Sequence, residues 1–203
     1  MSVSERRPSM IVEDALLAIG RTPILTIPSL DGPRQGHWLN YWDDLPNVRR
    51  VDLPFHSYPR RDAWLNVLGD AVESAADRVL LVGHGLGCAA VAIWASLSHP
   101  VDIGRKIAGA LLVSPLDPEL DSDPRCSEFR QFPGRPLPFA SWIVDADAGR
   151  RTGLARRWGC SALDSVDGEQ DGPWPEGLRL IASLSRAARL GHAAGTQRMA
   201  ELA

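Results

Sequence analysis

At 203 residues, with 44% hydrophobic and 23% charged residues, the chain is long enough to bury one sizeable core without disulfides or metals. A net charge of −3 with no long basic run excludes the concentrated positive surface that a nucleic-acid partner requires. Three widely spaced cysteines, Cys88, Cys126 and Cys160, fit reduced thiols better than a disulfide framework or a zinc site, and no stretch reaches the ~18 consecutive apolar residues of a membrane span. Arg6-Arg7 does not begin an export signal, because Glu13 and Asp14 interrupt what would be its apolar core. The expectation is a cytoplasmic protein with no metal or cofactor and no nucleic-acid or membrane partner.

In chain order, residues 1–22 read as an N-terminal extension in which Ser9 to Gly20 spaces Ile11, Val12, Leu16 and Ile19 as a short amphipathic helix. The main domain spans 23–186. Ile24 to Pro28 predicts a buried strand, followed by a turn-rich loop, Ser29 to Gly36, and a helix opened by His37-Trp38-Leu39-Asn40-Tyr41-Trp42. Val48 to Leu53 predicts a second strand, Pro54 to Pro59 a loop, and Ala63 to Ala75 a helix with Trp64, Val67, Leu68, Ala71 and Val72 on one stripe. Arg78 to Val82 is a buried strand leading into the glycine-rich turn Gly83-His84-Gly85-Leu86-Gly87 and a helix to about Leu97. Ile107 to Ser114 is a fourth strand. Pro115 to Pro138 shows no sustained periodicity and predicts a loop or small cap. Ala140 to Val144, Gly149 to Trp158 and Cys160 to Val166 predict strand, helix and strand; Gly172 to Gly177 is a turn before a final helix through about Leu190. Residues 187–203 form an alanine-rich tail.

Alternating strands and helices predict an α/β fold, with about six mostly parallel strands flanked by helices on both faces. Ligands in such sheets bind beyond the carboxyl ends of the strands, where strand order reverses. The loops carrying Ser29, Leu30, His37, His56, Gly85 and Asp147 all follow strands and meet at that edge. The turn at Gly83 to Gly87 has three readings: a flexible connection, half of a dinucleotide fingerprint, or the outline of the G-x-S-x-G nucleophile elbow with Gly85 at the serine position.

The chain resembles the small single-domain serine hydrolases of the α/β-hydrolase fold, the YdeN-like or retinoblastoma-binding-protein-like family, from about Pro23 to Leu184. The marks are Gly36-His37-Trp38, the Pro59-x-x-x-x-Trp64 helix entry, the elbow at Gly83 to Gly87, the strand Ala108 to Pro115, and Gly172-Pro173-Trp174-Pro175-Glu176-Gly177. The resemblance implies a Ser-His-Asp triad. Its nucleophile position is Gly85, a degenerate replacement. Its acid is Asp147, with Asp145 as the alternative. Its histidine belongs between Leu163 and Asp171, where none occurs. His192 follows the final helix, Cys88 reads as a core thiol, and His84 fits a structural hydrogen bond.

The resemblance therefore implies a hydrolase framework without its triad. Leu86 N–H at the start of the elbow helix, joined by an N–H from Ser29 or Leu30, is expected to persist as an anion hole beside a pocket lined by His37, His56 and His84. The expected function is binding of a small molecule or a protein partner. The alternative is an enzyme of non-serine mechanism, a lyase, isomerase or water-mediated ester or amide hydrolase using the histidines and aspartates. The two terminal extensions offer a homodimer surface.

Overall fold

The structure, a computed structural model, describes residues 8–130, 135–163 and 171–201, with side chains over 12–130, 135–163 and 171–190. Its six strands are β1 (Ile24–Ile27), β2 (Val48–Arg50), β3 (Val79–His84), β4 (Ile107–Val113), β5 (Ser141–Val144) and β6 (Ser161–Leu163). They form one sheet in the order β2-β1-β3-β4-β5-β6, with every neighbouring pair parallel. Strand order reverses between β1 and β3, so the loops leaving these two strands face one crevice.

The helices are α1 (Pro8–Ile19), α2 (Trp38–Trp42), α3 (Arg61–Glu73), α4 (Leu86–Leu97), α5 (Pro100–Lys106), α6 (Ala148–Trp158) and α7 (Pro175–Glu201), with a 3-10 turn at Pro124–Phe129. Strand side chains alternate between the two faces. Leu25, Ile27, Leu81 and Leu112 join α3, α4 and α6 in one core, which includes Trp64, Phe129 and Trp158. Ile24, Leu80, Val82 and Leu111 join α1, α2 and α7 in the other, around Trp38, Trp42 and Trp174. Each fully buried aliphatic side chain in these layers contributes about 1.5–3 kcal/mol. Leu86 of the elbow is buried in the first core, whereas Gly85 contributes to neither.

Some boundaries differ from the sequence reading. β2 stops at Arg50: the Val51 N–H still donates to Thr26 O of β1, but the Leu53 N–H then turns back to Val51 O, although Val51 and Leu53 bury their side chains. The α5 helix was not anticipated. The final helix continues through the residues read as a tail, to Glu201. The last part of the predicted sixth strand, 164–166, lies outside the described residues. Helix α1 is covered by α7: Ala15 and Ile19 share a core with Leu178, Ile181 and Ala182, and the Arg189 guanidinium donates to the carbonyls of Ala18 and Ile19. No helix among the described residues is long and apolar enough to cross a membrane.

Candidate functional site at the elbow

The crevice at the strand-order reversal is built by the turn between β3 and α4. Gly85 adopts φ 53° and ψ −120°, a region that costs a non-glycine residue on the order of 1–3 kcal/mol. Its N–H donates to Val113 O at the end of β4, and its carbonyl accepts from Leu116 N–H. Gly87 is required for a different reason: a Cβ there would lie 2.3 Å from Ile27 O, so only glycine lets α4 approach the end of β1.

Ser29 fills the space an elbow side chain would occupy. A Cβ built on Gly85 would fall 2.1 Å from Ser29 Oγ, and that same oxygen accepts the Leu86 N–H at 3.1 Å. The expectation of an open Leu86 N–H, joined by a backbone donor from Ser29 or Leu30, is therefore corrected. Ser29 enters this corner as a side-chain acceptor, because Gly85 leaves room for it and the first N–H groups of a helix need an acceptor. Leu30 packs against the core of α3 and α4. The Ser29 loop is pinned by Asp31, whose N–H donates to His56 O and whose carboxylate pairs with Arg125 at 2.8 Å.

The two candidate acids have structural partners. Asp147 is the N-cap of α6: its carboxylate accepts the Arg150 N–H at 2.9 Å, and this backbone donor, followed by that of Gly149, holds it below the ordinary carboxylate range. Asp145, 1% exposed, accepts Arg150 Nε at 2.5 Å and Nη2 at 2.9 Å, and also the Asp147 N–H. Sequence reasoning missed Arg150. The signal was available, since an arginine five positions after a buried aspartate can fold back across the first turn of a helix.

His37 and His84 are brought together, on the face of the sheet that α2 and α7 cover. Their ring centroids lie 4.6 Å apart, with Trp38 5.3 Å from His37 and 6.0 Å from His84. His37 caps α2 by accepting the Leu39 N–H at its Nδ1, and is 6% exposed. Desolvation first, and the neighbouring His37 second, lower the His84 pKa to about 3, so it is neutral at physiological pH. What the structure shows for His84, expected in a structural hydrogen bond, is ring packing against His37 and Trp38. His56 sits apart beside Trp64, with a ring-centroid distance of 6.3 Å and a buried Nδ1 that has no hydrogen-bond partner among the described residues. Cys88 is fully buried, donates to Val113 O, and has its thiol pKa pushed far up by burial. The His192 side chain lies outside the described residues.

A cavity of about 510 Å³ opens beside the elbow, between Leu116, Asp117 and Leu120 on one wall and Asp147, Arg150 and Arg157 on the other. Neither Ser29, Leu86 nor the paired histidines is among its described lining residues. Among the described residues no group of three His, Cys, Asp or Glu side chains is placed to hold a metal ion.

The parallel sheet, its helical layers and the β3-turn-α4 corner together define a protein of the α/β-hydrolase fold. A family model described as serine hydrolase matches residues 24–183, and the chain belongs to that family. A YdeN-like hydrolase from Pectobacterium atrosepticum superposes with a TM-score of 0.71 at 21% identity, over 87% of this chain and 98% of that one. The ydeN gene product from B. subtilis gives 0.65 at 17% identity, over 80% and 98%. A pyrethroid hydrolase gives 0.53 at 14%, over 82% and 98%. No curated protein sequence matches. At these identities the structural likeness establishes the fold.

Proposed function

We propose that this chain is a serine-hydrolase-family protein that binds a small organic molecule at the elbow cavity without Ser-His-Asp catalysis. The observation that carries the absence of serine catalysis is the Ser29 hydroxyl, seated on Leu86 N–H in the space left by Gly85, and the ligand site is the neighbouring cavity of about 510 Å³ walled by Leu116, Leu120, Arg150 and Arg157. A hydroxyl that accepts from a helix N-terminus still has its own proton to donate, so it passes the polarity of the helix end outward as a neutral donor. Asp147, which would orient a histidine in an intact triad, instead caps α6.

The acid-base alternative needs two titratable groups reaching one ligand atom. His37 and His84 pack among tryptophans outside the cavity, and the aspartates that line it are each engaged by a backbone N–H of their own loop, Asp117 by Glu119, Asp121 by Asp123 and Asp147 by Arg150, which favours binding over chemistry.

The test combines fluorophosphonate labelling, mapped by mass spectrometry, with turnover of p-nitrophenyl acetate. The expected result is no covalent adduct, and at most the ~10³-fold acceleration over water that an oxyanion hole and binding alone provide, unchanged in Asp147→Ala. An adduct on Ser29, or ester hydrolysis abolished by Asp147→Ala, overturns the proposal.

A further inference from the structure

A second cavity, about 440 Å³, lies at the opposite edge of the sheet, where the chain enters β1, β3 and β4. Its walls come from the end of α1, the turns before these strands, and the face of α7 that carries Ser185 and Arg189. Ile19, Ala108 and Ala188 make part of the lining apolar. The charged groups on it are unbalanced in a chain whose net charge is −3: three guanidiniums, Arg21, Arg78 and Arg189, face one carboxylate, Asp77.

The cationic charge is not cancelled where it stands. Arg78 donates through Nη2 to Ile107 O at 2.7 Å, and Arg189 donates to the carbonyls that end α1, but a carbonyl takes a hydrogen bond without neutralising a guanidinium. Arg78 Nε is buried with no acceptor among the described residues. Ser185 is 2% exposed and lines the same cavity, placing a hydroxyl in its wall. Buried polar groups in native proteins are almost always satisfied, so an unmet guanidinium donor in the wall of an open cavity with excess positive charge points to an acceptor that arrives from outside.

We propose that this cavity is a binding site for an organic anion, a carboxylate or phosphate carrying an apolar body. The anionic end meets Arg21, Arg78 and the Ser185 hydroxyl, and the apolar body lies against Ile19 and Ala108. The site is separate from the elbow cavity and does not depend on how that cavity is used.

The experiment titrates the full chain with phenyl phosphate, benzoate and phenol, by calorimetry and by backbone amide shifts. Phenyl phosphate or benzoate is expected to bind saturably and phenol not, with shifts at Thr22, Arg78 and Ala108, and with affinity falling as salt rises. Arg21→Glu, an exposed position that leaves the fold alone, and Ser185→Leu, which fills the cavity, should each weaken binding about tenfold or more, the scale of one charge-assisted contact or of lost space. Leu97→Ala, at an exposed position that lines neither cavity, should bind as wild type. Absence of saturable binding by both anions at millimolar concentration, or wild-type affinity in Arg21→Glu, overturns the proposal.

Discussion

Ser29 and Gly85 exclude one another's side chains: a Cβ on Gly85 would lie 2.1 Å from Ser29 Oγ and 2.6 Å from Ser29 Cβ. Rotating Ser29 moves its oxygen but not its Cβ, so serine at both positions demands a backbone shift. Gly85→Ser is expected to destabilise by roughly 2 kcal/mol or more, from positive-φ strain plus overpacking. Ser29→Gly in the same chain should recover the overpacking part, leaving the strain. A double-mutant cycle in urea reads the coupling, expected at about 1–3 kcal/mol. Simple additivity would show that the two positions do not compete.

Removing the Ser29 hydroxyl frees a donor. Ser29→Gly leaves Leu86 N–H at the start of α4 without its acceptor and is expected to cost about 1 kcal/mol, as loss of a helix cap does. The vacated corner should then take an anion. On titration with acetate the Leu86 amide resonance should move in Ser29→Gly and stay still in wild type. Equal movement in both would mean that Ser29 does not block the corner.

What was legible in the sequence followed from periodicity and turn chemistry. The strands β1, β3 and β4 announce themselves as short apolar runs, and α3, α4 and α6 fell within a few residues of their observed bounds. The α5 helix escaped because only Ile103 is buried, although Pro100 at its start, Asp102 in its first turn and Arg105 and Lys106 in its last were all helix signals. The strand-turn-helix corner at Gly85 was readable from the glycine spacing. The Ser29 contact was not, since it joins positions 57 apart and exists only because β1 and β3 are neighbours. Asp147 and Asp145 were correctly located beyond β5, but their division of labour, Asp147 capping the Arg150 N–H and Asp145 taking the guanidinium that folds back across the first turn, follows from a spacing of three and of five to Arg150 that the reading did not use.

Asp145 and Asp147 are two positions apart, and their replacement should separate their roles. Asp147→Ala removes an exposed N-cap and is expected to cost about 1 kcal/mol. Asp145→Ala strands Arg150 and the Asp147 N–H and should cost more. A fully buried ion pair broken on one side costs about 3–5 kcal/mol. Arg150 is 38% exposed and regains water, so about 2 kcal/mol is the expected loss here. Chemical denaturation of the two variants gives the comparison. An Asp147 loss equal to or larger than that of Asp145 would contradict the assignment of Asp145 as the anchor of this turn.

His84 gives the fold a pH dependence whose sign is fixed by burial. Folding lowers its pKa from 6.5 to about 3, so the unfolded chain binds a proton there that the folded chain refuses. The contribution is complete above pH 6.5 and falls as pH drops toward 3, at about 1.4 kcal/mol per pH unit within that window. The carboxylates held low by hydrogen bonds, Asp31, Asp123 and Asp147, act in the same direction but only below their ordinary value of 3.8. Asp43, which burial holds above 3.8, acts in the opposite direction just above that value, so between pH 6.5 and 4 the histidine is isolated by comparison with a variant. In His84→Gln, which keeps a polar side chain of similar size, the fall in unfolding free energy across that interval should be shallower than in wild type by about one proton's worth. The other histidines are common to both proteins and cancel in the difference. Parallel profiles for the two would show that the His84 imidazole takes up its proton as readily in the folded protein as in the unfolded one.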